Sequence, residues 1–305
     1  MANYEKILKL RPEVADFIRL RTSLRYRGEV MGYPANLSCE SFSTDRAGYR
    51  HSTLGGEILG VADCLGRESY GLVLGASNNF GFGIAGNENT MASILADRFG
   101  LPVANAALPG ANSRNLFTLL VALLARASKL PSLIVLSSGG DLGSFCESSL
   151  ADAVFGPPNR GQISGPLKQA CLESDPEIHL APFLRFTALW TTSIANLCHA
   201  YGIPLVMIHQ STFFDKAEAS PTEREYGLGE PFRPSDERQM ANFKKFSGQF
   251  YSRRKDVAEQ LGVPLAGLGL SDRLSFIDEY HLDAEGMRTL SEAVGDAADP
   301  LIQRR

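Results

Sequence analysis

The sequence is poor in cysteine, and its cysteines do not pair. Cys39, Cys64, Cys146, Cys171 and Cys198 are scattered over 305 residues. They show no CxxC spacing and an odd total, which argues against a disulfide framework and for reduced, mostly buried thiols. Histidine is as sparse: His51, His179, His199, His209 and His281 stand at no zinc-ligand spacing, so neither a metal nor any other cofactor is called for. Long apolar runs are also missing. The longest charge-free apolar stretch, residues 116–125, is half of the roughly 20 residues a helix needs to cross a bilayer, so no membrane insertion is expected. Residues 1–27 are charged every few positions, where a signal peptide needs an unbroken apolar core, and the expected location is the cytoplasm. Positive charge is not in excess either. Thirty Lys and Arg against 34 Asp and Glu leave a net charge of -4, so nothing draws the chain to a phosphate backbone and nucleic acid is not an expected partner.

What is present is ample material for a core, 44% hydrophobic residues with 21% charged. From about residue 70 onward short apolar runs alternate with helical patterns, the signature of a parallel sheet wrapped by helices. The runs are 71–76 (GLVLGA), 102–106 (PVANA), 132–137 (SLIVLS), 203–209 (IPLVMIH) and 264–268 (PLAGL), each nearly continuous, as strands buried on both faces should be. Helical periodicity covers 90–99, 113–128, 182–201, 236–261 and 283–297. Three of these helices run into matching phrases, RFGLPV, YGIPLV and QLGVPL, where Gly stops the helix and Pro opens a strand. The predicted fold class is α/β, a three-layer α/β/α flavodoxin-like arrangement on a five-stranded parallel sheet.

Residues 1–55 lack this rhythm and read as an extension packed on a main domain of residues 56–305. The extension holds a helical stretch over 12–27 and then a polar, turn-rich leader. Residues 139–178 and 210–235 are rich in Gly, Pro and Ser with no clear element. Both follow strands at their C-terminal ends, where such sheets hold ligands, and are expected to cover substrate.

Ser77 follows the first buried strand within GASNNFG, a strand-end serine close to backbone amides. In isolation this is ordinary turn chemistry. Near the other end of the chain, Asp278-Glu279-Tyr280-His281 precedes the last helix. An Asp and a His three residues apart in a turn face the same way, so the carboxylate fixes the imidazole tautomer while the other ring nitrogen points at a nucleophile.

These residues resemble the SGNH (GDSL-like) hydrolase superfamily, over roughly residues 70–297. GASNNFG looks like its first block, with Ser77 as nucleophile, and VANAALPGAN like the second, with Gly110 as an oxyanion-hole amide. LIVLSSGGDL sits where the third block, GxND, belongs, and DEYHLDAEG matches the fifth, DxxH, supplying Asp278 and His281. TDRAGYR in the leader is similar to segments that precede the domain in many members. The third block departs from the pattern, because the oxyanion-hole Asn is replaced by Gly140 and no Asn occurs from residue 116 to 158. Such a donor is worth about 3 to 4 kcal/mol. Asn112, a substrate group or a water could replace it, or the enzyme could be slow or inactive.

The resemblance implies that His281, oriented by Asp278, takes the proton of Ser77 as it attacks a small acyl ester or thioester, the amides of Ser77 and Gly110 holding the oxyanion. The acyl-serine then passes to water or to an acceptor, which the triad alone does not decide. A small acylated metabolite or glycan precursor is the expected substrate, and the alternative is a catalytically impaired binding or scaffolding protein. A nucleotide site is disfavoured, because the Gly-rich turn lacks both the P-loop Lys and GxGxxG spacing. Asn78 and Asn79, turn formers beside the nucleophile, are candidate substrate contacts. His209 reads as a satisfied structural histidine, Asp141 as a cap, Trp190 as a helix core residue, and residues 253–255 (RRK) as a solvated helix face.

Overall fold

The computed structural model describes residues 4–27, 30–137, 140–142, 145, 176–229 and 234–303. The chain opens with α1 (Tyr4–Leu10) and α2 (Ala15–Arg19), followed by two antiparallel ribbons, β1 (Arg25–Arg27) with β2 (Val30–Gly32), and β3 (Ser52–Leu54) with β4 (Glu57–Leu59). The continuous helix expected over 12–27 is not formed. Short 3-10 turns at Pro12–Val14 and Leu20–Ser23 flank α2, and Leu24 is extended. Phe17 of α2 has its ring fully buried.

The main sheet comprises β5 (Gly71–Leu74), β6 (Val103–Asn105), β7 (Leu133–Leu136), β8 (Leu205–Ile208) and β9 (Leu265–Ala266), all parallel, in the order β6-β5-β7-β8-β9. All five expected strands are present. Alternation divides their side chains between two cores. Val73, Val135, Val206 and Ile208 face one side, packed on α5 (Met91–Phe99) and on the C-terminal helix, while Leu72, Leu74, Ile134, Leu136 and Leu205 face the other, packed on α3 (Val61–Leu65) and α6 (Ser113–Leu124). Helices on both faces give the three-layer α/β/α architecture.

The three repeated helix-to-strand phrases fold alike. Gly100, Gly202 and Gly262 take φ of 62°, 62° and 63°, and the residue after each donates back to the helix, Leu101 to Ala96, Ile203 to Cys198 and Val263 to Ala258. The prolines that follow turn their carbonyls to the next strand, Pro102 accepting from Gly71, Pro204 from Ile134 and Pro264 from Met207.

The remaining helices are α7 (Pro176–Ala200), α8 (Pro221–Glu225), α9 (Pro234–Leu261) and α10 (Ala284–Ile302). α6 and α9 both pack on α7. Trp190, on α7, is half-buried with its ring 5.4 Å from Phe117 of α6 and 6.2 Å from Phe186. On α9 the inward stripe is Phe243, Phe246, Phe250, Tyr251, Arg254, Val257 and Ala258. The solvated face expected at 253–255 is therefore corrected at its middle residue, since Arg254 is 4% exposed. Residues 210–229 of the segment read as having no clear element do form elements. Ser220 and Glu223 form a capping box around Pro221 that starts α8, and Thr212 with Asp215 caps a 3-10 turn. Buried Glu223 pairs with Lys216 at 2.9 Å and accepts from the Phe276 amide at 3.0 Å, tying this segment to the chain just before Asp278. Most of the expected cover at 139–178 lies outside the described residues. Among the described residues no helix is long and apolar enough to cross a membrane, and Cys39, Cys64 and Cys198 are free thiols.

Candidate active site

β5 ends two residues before Ala76, and Ser77 begins the short helix α4 (Ser77–Phe80) at the C-terminal edge of the sheet. As the first residue of a helix, Ser77 has an amide with no intrahelical acceptor. Its Oγ lies 2.8 Å from Nε2 of His281. Nδ1 of the same ring lies 2.8 and 2.9 Å from the two oxygens of Asp278. The Asp278 carboxylate also accepts from the amides of Tyr280 and His281 at 2.9 and 2.7 Å, so the turn that carries the histidine is folded around the group that orients it. Burial alone would push the Asp278 carboxyl up; the His281 ring and these backbone donors outweigh it and hold the group below the ordinary range. The ring of Phe82 lies 4.5 Å from that of His281. Residues 204 positions apart in the chain are thus in hydrogen-bond contact.

Gly110 has φ of 73° in the turn before α6, and among the described residues its amide donates to no protein group. Asn112 is fully buried: its Oδ1 caps α6 by accepting from Asn115 at 3.0 Å, and its Nδ2 has no partner. Gly140 leaves no room for the expected Asn, since a Cβ there would lie 2.4 Å from the Ala111 carbonyl oxygen and 3.0 Å from the Ala76 Cβ. An asparagine cannot simply be placed at this position. Asp141 caps α6 from outside, accepting from the Ser113 amide at 2.8 Å and from its hydroxyl. Burial pushes the Asp141 carboxyl up to about 6, against these hydrogen bonds and the charge of Arg254.

Asn78 and Asn79 follow Ser77 on α4. Both are buried, at 3% and 2% exposure. Asn78 accepts from the Leu282 amide at 3.2 Å, bracing the histidine turn against α4, and Asn79 lies over Gly75, where a Cβ would meet its Oδ1 at 2.4 Å. His209 is also not the satisfied histidine expected, for its Nδ1 is buried without a partner.

Arg50 was not singled out as a functional residue, although it closes the TDRAGYR segment. It is fully buried, with Nη1 donating to the Gly81 carbonyl at 2.6 Å and Nη2 to those of Ile84 and Gly86 at 2.7 and 2.9 Å. Its guanidinium lies 5.5, 5.4 and 5.9 Å from the ring centroids of Phe17, Phe42 and Phe80. Burial lowers it to about 9, which leaves it charged at neutral pH. The leader thereby clamps the loop that follows α4 and carries Phe82 to His281.

No protein-family model matches the chain, and no curated protein matches it in sequence. Among solved structures, a carbohydrate acetylesterase family member from Sinorhizobium meliloti is similar at 16% identity and a TM-score of 0.46, over 77% of this chain and 98% of that one. A GDSL-like lipase from Bacteroides thetaiotaomicron is similar at 13% identity and 0.44, over 76% and 88%. The esterase EstA from Pseudoalteromonas sp. is similar at 14% identity and 0.44, over 77% and 98%.

Proposed function

We propose that Ser77, His281 and Asp278 form the triad of an SGNH-type serine enzyme that cleaves or transfers the acyl group of a small ester or thioester. The observation that carries this reading is the unbroken relay of 2.8 Å contacts from Ser77 Oγ through the imidazole to the Asp278 carboxylate. His281 Nε2 takes the hydroxyl proton as Oγ attacks the carbonyl carbon, and Asp278 holds Nδ1–H and stabilises the imidazolium that forms. The amides of Ser77 and Gly110 receive the charge that develops on the carbonyl oxygen. The imidazolium then protonates the leaving alcohol or thiol, leaving an acyl-serine. Water or an acceptor alcohol or amine, deprotonated by the same nitrogen, releases the acyl group.

A second reading, a binding protein that retains the fold and has lost turnover, is favoured by one feature, the closed space at Gly140. Without a side-chain amide there, the hole has two backbone donors, which corresponds to roughly 10²- to 10³-fold slower chemistry than a three-donor hole. Covalent labelling by a fluorophosphonate together with turnover of a short-chain p-nitrophenyl ester separates the two. Both are expected in the wild type and absent in Ser77→Ala at an unchanged circular dichroism spectrum. A Ser77→Ala protein that keeps wild-type turnover would remove Ser77 from the reaction.

A further inference from the structure

The segment after β8 is gripped by one face of α9. Tyr251 donates its hydroxyl to the Gln210 carbonyl at 2.6 Å, and Arg254 donates Nη2 to that of Ile208 at 3.1 Å. The His209 ring lies 4.4 Å from the Tyr251 ring. Along this segment and the helix that grips it, three polar atoms are buried with no hydrogen-bond partner: Nη1 of Arg254, Nδ1 of His209 and Oγ of Ser211. Arg254 is 4% exposed and Ser211 2%. The charged group nearest in effect to Arg254 is Asp141, whose two oxygens are both taken by Ser113. A buried cation without a hydrogen-bonded counter-charge costs several kcal/mol, and each orphaned neutral polar atom about 1 to 3. Fold stability does not account for three such atoms. A negatively charged guest does, because it offers an acceptor to the guanidinium and to the donors of the segment beside it.

We propose that Arg254, His209 and Ser211 bind an anionic group of the substrate, a carboxylate or a phosphate. Its assignment to the substrate rests on the reading of Ser77 as nucleophile. Both groups lie at the C-terminal edge of the sheet. β7 separates β8 from β5, so two interstrand steps place the anion site roughly 10 Å from the Ser77 strand end. α9 packs on α7, as does α6, the helix that follows the turn carrying Gly110. The matching substrates are short esters with a charged terminus several bonds from the scissile carbonyl, such as the half-ester of a dicarboxylic acid or an acylated phosphorylated alcohol. Burial lowers Arg254 to about 10, so it remains charged at neutral pH, and burial first, then the Arg254 charge, holds His209 near 4, a neutral ring.

The test compares a neutral p-nitrophenyl ester, the valerate, with its charged counterpart, the mono-p-nitrophenyl ester of glutaric acid. Wild type is expected to favour the charged ester. Arg254→Met is expected to lower kcat/KM for it by about 10- to 100-fold, the worth of one buried charge-assisted hydrogen bond, while the neutral ester stays within about twofold. The variant also gives up the hydrogen bond to the Ile208 carbonyl and the charge facing Asp141, a stability loss that acts on both esters alike. Equal loss on both esters would make Arg254 a structural residue and overturn the proposal. Calorimetric titration of Ser77→Ala with glutarate and with inorganic phosphate reads the site without catalysis and separates the two anions. Binding that is lost in Ser77→Ala/Arg254→Met supports the anion site even if the triad reading fails. Ester turnover with no preference for charge, and no binding of either anion, overturns the anion site and leaves the triad standing.

Discussion

Arg50 tests whether the leader supports the proposed triad. Its two terminal nitrogens serve different carbonyls, Nη1 that of Gly81 and Nη2 those of Ile84 and Gly86, and Phe82 lies between them in the chain with its ring on His281. Lysine keeps the charge and has one nitrogen, so Arg50→Lys satisfies one side of this fork and abandons the other. A hydrogen bond to a charged donor contributes about 1.5 to 3 kcal/mol, and carbonyls stranded in a dry site add to the loss. A net destabilisation of about 3 kcal/mol follows, which in a chain of 305 residues is a fall in Tm of roughly 5 °C. The loosened loop removes the support behind the imidazole, so kcat on a p-nitrophenyl ester should fall about tenfold with KM nearly unchanged. The assay is a thermal melt read beside steady-state kinetics at a temperature where both proteins are folded. A variant that loses stability and keeps full kcat would show that the clamp holds the fold and does nothing for the base.

Asp141, raised by burial from 3.8 to about 6, binds a proton in the native state over a range where the unfolded chain has released it, so native stability should fall as pH rises from about 4 through 6 and level off above. Asp141→Asn keeps an acceptor for the Ser113 amide and should flatten that dependence in urea melts taken at several pH values; an unchanged slope would place the titration elsewhere. Lys216→Met should cost about 3 to 5 kcal/mol, because it leaves the fully buried Glu223 without its cation, and Lys216→Met/Glu223→Gln should recover part of the loss. A single variant as stable as wild type in chemical denaturation would refute that reasoning.

The sheet was legible in the sequence because its strands are buried on both faces and its junctions repeat. Gly and Pro at fixed places in RFGLPV, YGIPLV and QLGVPL encode a left-handed helix end followed by a strand, and three copies leave little ambiguity. Asp278 and His281 were legible because three residues in a turn suffice to bring them together. Arg254 was misread because adjacent charges suggest a solvated face, although neighbours on a helix point about 100° apart. The spacing of Phe250, Tyr251, Arg254, Val257 and Ala258 is an inward stripe with a cation in it, and that period was available to be read. The crowding at Gly140 comes from the Ala111 carbonyl, a contact between distant loops that no local pattern carries. Asn78 and Asn79 look like turn residues locally, and only the packing of the histidine turn against α4 determines where their side chains go.

The only tryptophan of the chain, Trp190, sits between α6 and α7, in a different layer from the aromatic residues that surround Arg50. Its fluorescence therefore reports on the integrity of one helical layer and is silent about the leader. The stacked rings of Phe17, Tyr33, Phe42 and Phe80 contribute instead to the near-ultraviolet dichroism of the leader. A denaturation curve followed by Trp190 fluorescence beside near-ultraviolet dichroism, which sums all the rings, shows a leader that detaches early as a dichroism change ahead of the fluorescence change.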